Sequence, residues 1–254
     1  WILEDIDLAI PLGTIFTVLG PSGSGKTSLL RLVNRLTDPT AGEIEFDGRP
    51  LRSFEPVALR RRIGYVFQVP TMLPGSVEDN LIYAFNPGGR SRDGQPKRNG
   101  LVERLRRVSL SEAFLDREAD QLSVGEQQRV SIARSLMTSP EVLLMDEPTA
   151  ALDPTATSRM LDLIKGLHEQ AGVTIVFVTH QLEQARQVGR QTAILIEGRI
   201  VETGSTSEIF ASPQTQLTRD FLAGRMDKSD SDNEPNGDED RSEESNPAQE
   251  GRQN

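Results

Sequence analysis

The chain has 254 residues, 36% hydrophobic and 5% aromatic, with 28 basic against 38 acidic side chains and a net charge of −10. Ten acids and three bases fall between Asp227 and Asn254, a net of −7, so residues 1–226 carry only −3. That near-neutral body argues against a nucleic-acid partner, and the absence of Cys excludes disulfides, thiolate metal sites and Cys-based catalysis.

The chain opens on Trp1 rather than Met, with no charged-then-apolar segment before Leu3, so any targeting segment is expected to lie upstream of this sequence. No window approaches the roughly 20 apolar residues that a membrane helix needs. Apolar runs of strand length recur instead, each ending at polar residues. Ile15–Leu19 reads as a buried strand, followed by a helix over Lys26–Leu36. Glu43–Phe46 suggests a further strand, and Ile63–Phe67 another buried one that ends at Gln68. Asn86–Gly100, rich in Gly, Pro, Arg and Lys, reads as a solvated loop. Two short helices are expected over Leu101–Val108 and Ser111–Arg117, then a longer one over Gly125–Met137. Val142–Met145 and Ile175–Thr179 are buried strands, with helices over Thr155–Glu169 and Gln181–Val188. Ala193–Glu197 and Arg199–Glu202, like Glu43–Phe46, look like antiparallel strands. Residues 227–254 hold almost no large apolar side chain and are expected to be disordered. Strand followed by helix, repeated, predicts an α/β fold around a mainly parallel sheet, with chemistry where the buried strands end.

Three of those strand ends carry reactive side chains. The first is Gly20-Pro21-Ser22-Gly23-Ser24-Gly25-Lys26-Thr27-Ser28, which fits G-x-x-x-x-G-K-[ST] and lies between a strand and a helix, as that motif requires. Its glycines let backbone N–H groups wrap a phosphate, and the helix adds its positive N-terminal end. Lys26 would reach the β- and γ-phosphates, and Thr27 would offer a hydroxyl to Mg²⁺. At the second, Val142-Leu-Leu-Met delivers Asp146 and Glu147, the first suited to Mg²⁺ and the second to general-base activation of water. At the third, His180 is placed to hydrogen-bond a γ-phosphate oxygen. Gln68 would meet Mg²⁺ or the γ-phosphate through its amide. Ser123 and the Gly125 N–H, opening a helix, would form a second anion cradle. His168, on a helix with no such context, reads as structural or solvated.

The ordered set of phosphate loop, Gln68, Leu122-Ser-Val-Gly-Glu-Gln-Gln-Arg129, Leu143-Leu-Met-Asp-Glu-Pro148, Ala151-Leu-Asp153 and His180 resembles the ATP-binding cassette (ABC) ATPase family over residues 1 to about 226. The resemblance implies a P-loop NTPase cassette: a RecA-like core with an antiparallel β subdomain and a helical subdomain inserted at about 75–139. It implies ATP and Mg²⁺ as ligands, with Thr27, Gln68 and Asp146 toward the metal. Lys26, Gln68, Glu147 and His180 would carry catalysis. It further implies a head-to-tail homodimer in the ATP-bound state, in which Ser123 and Gly125 contact ATP held by the partner's Lys26 and Asp153 lies near the dimer axis. The family signature is usually LSGGQ; Val124 and Glu126 depart from it, but Gly125 is kept and a working signature is expected. By the same likeness, the aromatic residue that stacks on adenine would lie upstream of Trp1.

The gap between the two nucleotide motifs has no heptads and the chain holds one cassette, unlike the DNA-maintenance and translation branches of the family. The expected role is therefore the ATPase subunit of a transporter, peripheral on the cytoplasmic face of the membrane and docked on separate permease subunits. Arg61–Asn80 and Ile209–Arg225 resemble ATPases of phosphate importers, the favoured expectation; metal-tolerance or metal-efflux transporters are the alternative, and a non-transport ABC ATPase is a further one.

Overall fold

The computed structural model describes residues 2–85 and 97–225. Trp1, most of the expected 86–100 loop and the acidic 227–254 segment lie outside the described residues. A six-stranded sheet organises the molecule: β1 (Ile15–Leu19), β4 (Ile63–Val66), β5 (Val142–Asp146), β6 (Thr174–Thr179), β7 (Gln191–Ile196) and β8 (Arg199–Ser205), in the order β4-β5-β6-β1-β7-β8. A separate hairpin pairs β2 (Glu45–Phe46) with β3 (Arg49–Pro50) antiparallel.

The central strands β1, β5 and β6 are buried on both faces because helices cover both. Ile15, Leu143, Met145, Ile175 and Phe177 pack into one core with the helices α3 (Val77–Ile82), α4 (Arg98–Arg107), α5 (Val124–Leu136) and α6 (Pro154–Ala171). Phe16, Val18, Val142, Leu144, Val176 and Val178 face the other way. They meet Leu29 and Leu30 of α1 (Lys26–Val33), Leu59 of α2 (Pro56–Arg62) and Phe46 of the hairpin. Beyond β7, Ile194 and Ile196 pack with Ala185 of α7 (Leu182–Val188), Ile209 of α8 (Thr206–Ala211) and Phe221 of α9 (Gln216–Leu222).

Three expectations change. β7 is antiparallel only to β8; against β1 it runs parallel, with Leu19 opposite Ile194, because β1 needs a second neighbour inside the sheet. The helix expected to start at Leu101 begins at Arg98, where Arg98 ion-pairs with Glu78 and Asp116 and ties the first turn down. The stretch Ser111–Arg117 forms only a 3₁₀ turn over Glu112–Phe114. His168 is structural: its Nδ1 lies 3.0 Å from the Val173 carbonyl oxygen at the C-terminus of α6.

Register places the site. Leu19 of β1 is level with Thr179 of β6, and Asp146 of β5 is level with Val178. Gly20, Glu147 and His180, each the next residue along, therefore emerge at one edge of the sheet.

Candidate active site

The loop after β1 is built around close approach. A side chain at Gly20 would collide with the Leu195 carbonyl oxygen of β7, so glycine alone lets the loop turn there. Gly25, the N-cap of α1, has φ +104, which an L side chain rarely adopts. The loop closes through the Ser24 N–H to the Pro21 carbonyl at 3.3 Å, and the Ser24 hydroxyl is buried without a protein partner. The first N–H groups of α1 have no partner inside the helix, which leaves an anion cradle at its N-terminus.

Lys26 is 5% exposed, and its Nζ donates to the carbonyl oxygens of Gly20 and Pro21 at 2.9 and 2.7 Å. Burial lowers its pKa below the ordinary lysine value, and the nearby carboxylates of Glu147 and Asp146 oppose that shift. The ammonium thus stays at the loop with Glu147 Oε1 at 3.8 Å.

Asp146 ends β5 as a buried carboxylate held by two hydroxyls. Thr27 Oγ1 donates to Oδ1 at 3.1 Å, and the Tyr65 phenol donates to Oδ2 at 2.9 Å. Burial raises the Asp146 pKa above the usual carboxylate value, while the two hydrogen bonds pull it down. The same burial, with the Asp146 charge beside it, raises the Tyr65 phenol. The donor chemistry fits Mg²⁺: a hydroxyl and a carboxylate oxygen, both hard ligands, lie together at the end of the phosphate loop. No cluster of three or more His, Asp or Glu side chains suited to a metal occurs among the described residues. A cation here would take its remaining ligands from phosphate and water.

Glu147 has φ +41, an uncommon conformation for a non-glycine residue that is found where surrounding structure enforces it. Its N–H donates to the Val178 carbonyl at 3.1 Å, locking it to the end of β6. The turn aims the carboxylate sideways, so Oε2 lies 3.0 Å from His180 Nδ1 while Oε1 faces Lys26. Its side chain is 15% exposed and that of His180 42%. His180 is the more exposed partner of the pair.

Gln68 stands exposed just beyond β4 and makes none of these bonds. It is placed from behind. Gln128 of α5, which is buried, donates to the Phe67 carbonyl at 3.1 Å and so links the signature helix to the end of β4. Ser123 caps α5, accepting from the Glu126 N–H, while Glu126 Oε2 accepts from both the N–H and the hydroxyl of Ser123 at 2.9 and 2.8 Å. Those bonds and Arg117 hold the Glu126 carboxyl below its usual range. Asp153 caps α6 through the Ala156 N–H at 2.9 Å, and Leu152 packs against the backbone of Gly125. Among the described residues, no hydrogen bond or ion pair joins Ser123 or Gly125 to residues 20–28.

Lys26, Thr27, Asp146, Glu147 and His180, distant in sequence, thus form one site, to which Ser123 and Asp153 make no hydrogen bond or ion pair. Tyr65 and Gln128 are given no role by the motif reading, although Gln128 lies within Leu122–Arg129 and Tyr65 three residues before Gln68.

A family model described as ABC transporter matches residues 3–150. The chain belongs to the ABC transporter family. It carries that family's ATP-hydrolysing cassette. A methionine import ATP-binding protein from Caulobacter vibrioides is 41% identical over 224 residues, covering 87% of this chain and 67% of its own. Its counterpart from Aliivibrio fischeri is 42% identical over 231 residues, 89% of this chain and 66% of its own. The cassette therefore spans about two thirds of these relatives' length. Among solved structures, the dimeric post-hydrolysis state of MJ0796 bound to ADP and Pi has TM-score 0.70 at 32% identity, covering 81% of this chain and 90% of that one. No helix among the described residues is long and apolar enough to cross a membrane.

Proposed function

We propose that this chain is the ATP-hydrolysing subunit of an importer, a pair of cassettes driving transport through separate membrane subunits from their cytoplasmic side. One observation carries the reading: Lys26, Glu147 and His180 meet where β1, β5 and β6 end. Lys26 leaves its loop carbonyls to hold the β- and γ-phosphates, with the N–H groups of residues 20–28 around them. Thr27 and Asp146, with Gln68 reaching in, hold Mg²⁺, which supplies charge neutralisation at the phosphates when bound. Glu147 takes a proton from the attacking water, and His180 fixes the carboxylate and a γ-phosphate oxygen. Ser123 and Gly125 make no hydrogen bond or ion pair with the phosphate loop of their own chain, which supports their serving the partner's nucleotide. The dimeric state of the MJ0796 cassette bound to ADP and Pi supports a pairing of two cassettes.

The expectation of phosphate as cargo is replaced. The bacterial relatives described above are named for methionine import, and none of them supports the phosphate likeness of Arg61–Asn80 and Ile209–Arg225. Methionine, or an amino acid of its kind, is the cargo we favour. Uptake of labelled methionine and of labelled phosphate, compared in cells with and without this gene, tests it. Loss of phosphate uptake alone would reverse the assignment, and loss of neither would remove both.

A further inference from the structure

Behind the acidic turn lies a polar cluster that none of the motifs includes. Gln184 of α7 is 4% exposed, Thr149 3% and Thr179 2%. The Gln184 amide oxygen accepts from Thr149 Oγ1 at 3.0 Å and from Thr179 Oγ1 at 2.9 Å. Its amide nitrogen donates to Gln181 Oε1 at 2.9 Å, and the Gln181 N–H donates to Thr179 Oγ1 at 3.0 Å. Thr149 lies two residues past Glu147, and Thr179 immediately precedes His180. One carbonyl oxygen, using both lone pairs, therefore ties together the two loops that carry the Glu147–His180 contact.

We propose that Gln184 is a positioning residue for hydrolysis, one that sets the Glu147 carboxylate against His180 from behind. The proposal rests on the reading of Glu147 as the base. Glu147 holds a left-handed backbone conformation that only its surroundings can enforce, and Thr149 is the nearest residue on its C-terminal side whose buried side chain is hydrogen-bonded. Without the amide, two buried hydroxyls lose their common acceptor and must turn toward other partners, which shifts the turn that aims Glu147. Glutamine suits the place better than glutamate. A carboxylate would accept both hydroxyls but would bury a charge and lose the donor to Gln181.

The experiment uses the full chain with Mg-ATP, measuring steady-state hydrolysis and, separately, direct ATP binding. Gln184→Met keeps the shape and removes the hydrogen bonds; Thr149→Val keeps the shape and removes the hydroxyl, whereas Thr149→Ser keeps the hydroxyl. Gln184→Met and Thr149→Val should each lower kcat by about 10- to 100-fold, as small displacements of a reacting group do. ATP affinity should stay within about twofold, since the phosphate loop is untouched. Thr149→Ser should stay close to wild type. In a Glu147→Gln background, Gln184→Met should lower the residual rate no further, because the carboxylate it positions is already gone. A folded Gln184→Met protein with wild-type kcat would overturn the proposal. So would an equal loss in both backgrounds, or a matching fall in ATP affinity, since either marks a merely structural role. Should Gln184→Met fail to fold, the contrast between Thr149→Val and Thr149→Ser decides by the same criteria. If Glu147→Gln itself hydrolyses at the wild-type rate, the reading of Glu147 fails, separately from that of Gln184.

Discussion

His180 Nδ1 stands 3.0 Å from Glu147 Oε2, joining the residue after β6 to the residue after β5. The contact leaves the second carboxylate oxygen turned toward Lys26, where a proton from water can be received. Glu147→Gln keeps the shape and removes the base. Hydrolysis should fall by about 10²–10⁴ while ATP binding persists. Unhydrolysed ATP should then hold two cassettes together, so size-exclusion runs in Mg-ATP should show Glu147→Gln as a dimer and wild type largely as a monomer. Lys26→Ala, added to it, should abolish the shift. A Glu147→Gln protein that stays monomeric in saturating ATP would count against the paired arrangement.

Tyr65→Phe removes one of the two hydroxyls that hold Asp146 and leaves the ring in place. The loss should cost about 1 kcal/mol of stability in the nucleotide-free protein. The Tyr65 bond favours the ionised carboxylate against the burial that raises its pKa, so removal raises that pKa further. The pH at which Mg²⁺ begins to strengthen ATP binding should therefore move upward. ATP binding in excess chelator should not change. Titrations with a fluorescent nucleotide across pH, with and without Mg²⁺, measure both; an unshifted Mg²⁺ dependence would leave Tyr65 with packing alone.

Glu126→Gln tests a carboxylate placed beside the Ser123 cradle. The folded-state pKa of Glu126 is depressed below 4.5, so its cap contributes fully above that pH and is lost as pH falls through the folded value. Acid unfolding of Glu126→Gln should lack that component, while its stability at neutral pH stays close to wild type because glutamine can also close the capping box. With the negative charge gone from 2.8 Å beside the Ser123 hydroxyl, ATP-driven pairing should tighten in the Glu147→Gln background. Analytical ultracentrifugation would show it; equal or weaker pairing would mean that Glu126 does not oppose phosphate.

Gly20→Ala drives a methyl group against the Leu195 carbonyl, a backbone atom that cannot swing aside. We expect about 1–3 kcal/mol of destabilisation and loss of measurable ATP binding, because the loop must shift away from β7. Gly23→Ala, where space is open but φ is +79, should cost less stability. Thermal unfolding and equilibrium ATP binding of the two variants separate collision from backbone strain. A Gly20→Ala protein that binds ATP normally would show the loop to be more compliant than its packing implies.

The strands and phosphate loop were legible because their signals are local. Ile15–Leu19 matches its expected bounds, and Val142–Met145 and Ile175–Thr179 differ from theirs by one residue, since a buried strand must be apolar on both faces. Glycine spacing alone marks the loop after β1. The short helices α2, α3, α8 and α9 were not legible. Each has six or seven residues, which leaves little periodicity to show (α7, of seven, is the exception), and each is started by a side-chain cap from Glu55, Ser76, Ser205 or Thr215.

The sequence by itself determined which residues could bind phosphate, ligate a cation or take a proton, because those roles follow from side-chain chemistry at strand ends. Only the tertiary structure decided which strands are neighbours, and hence that His180 meets Glu147 and that Tyr65 meets Asp146. It also decided that β7 runs parallel beside β1, and that one buried amide, Gln184, joins the turns carrying the two site residues. Sheet order and hydrogen-bond partnership are set by packing between segments far apart in the chain. No local pattern around Tyr65 or Gln184 encodes the residue each will face.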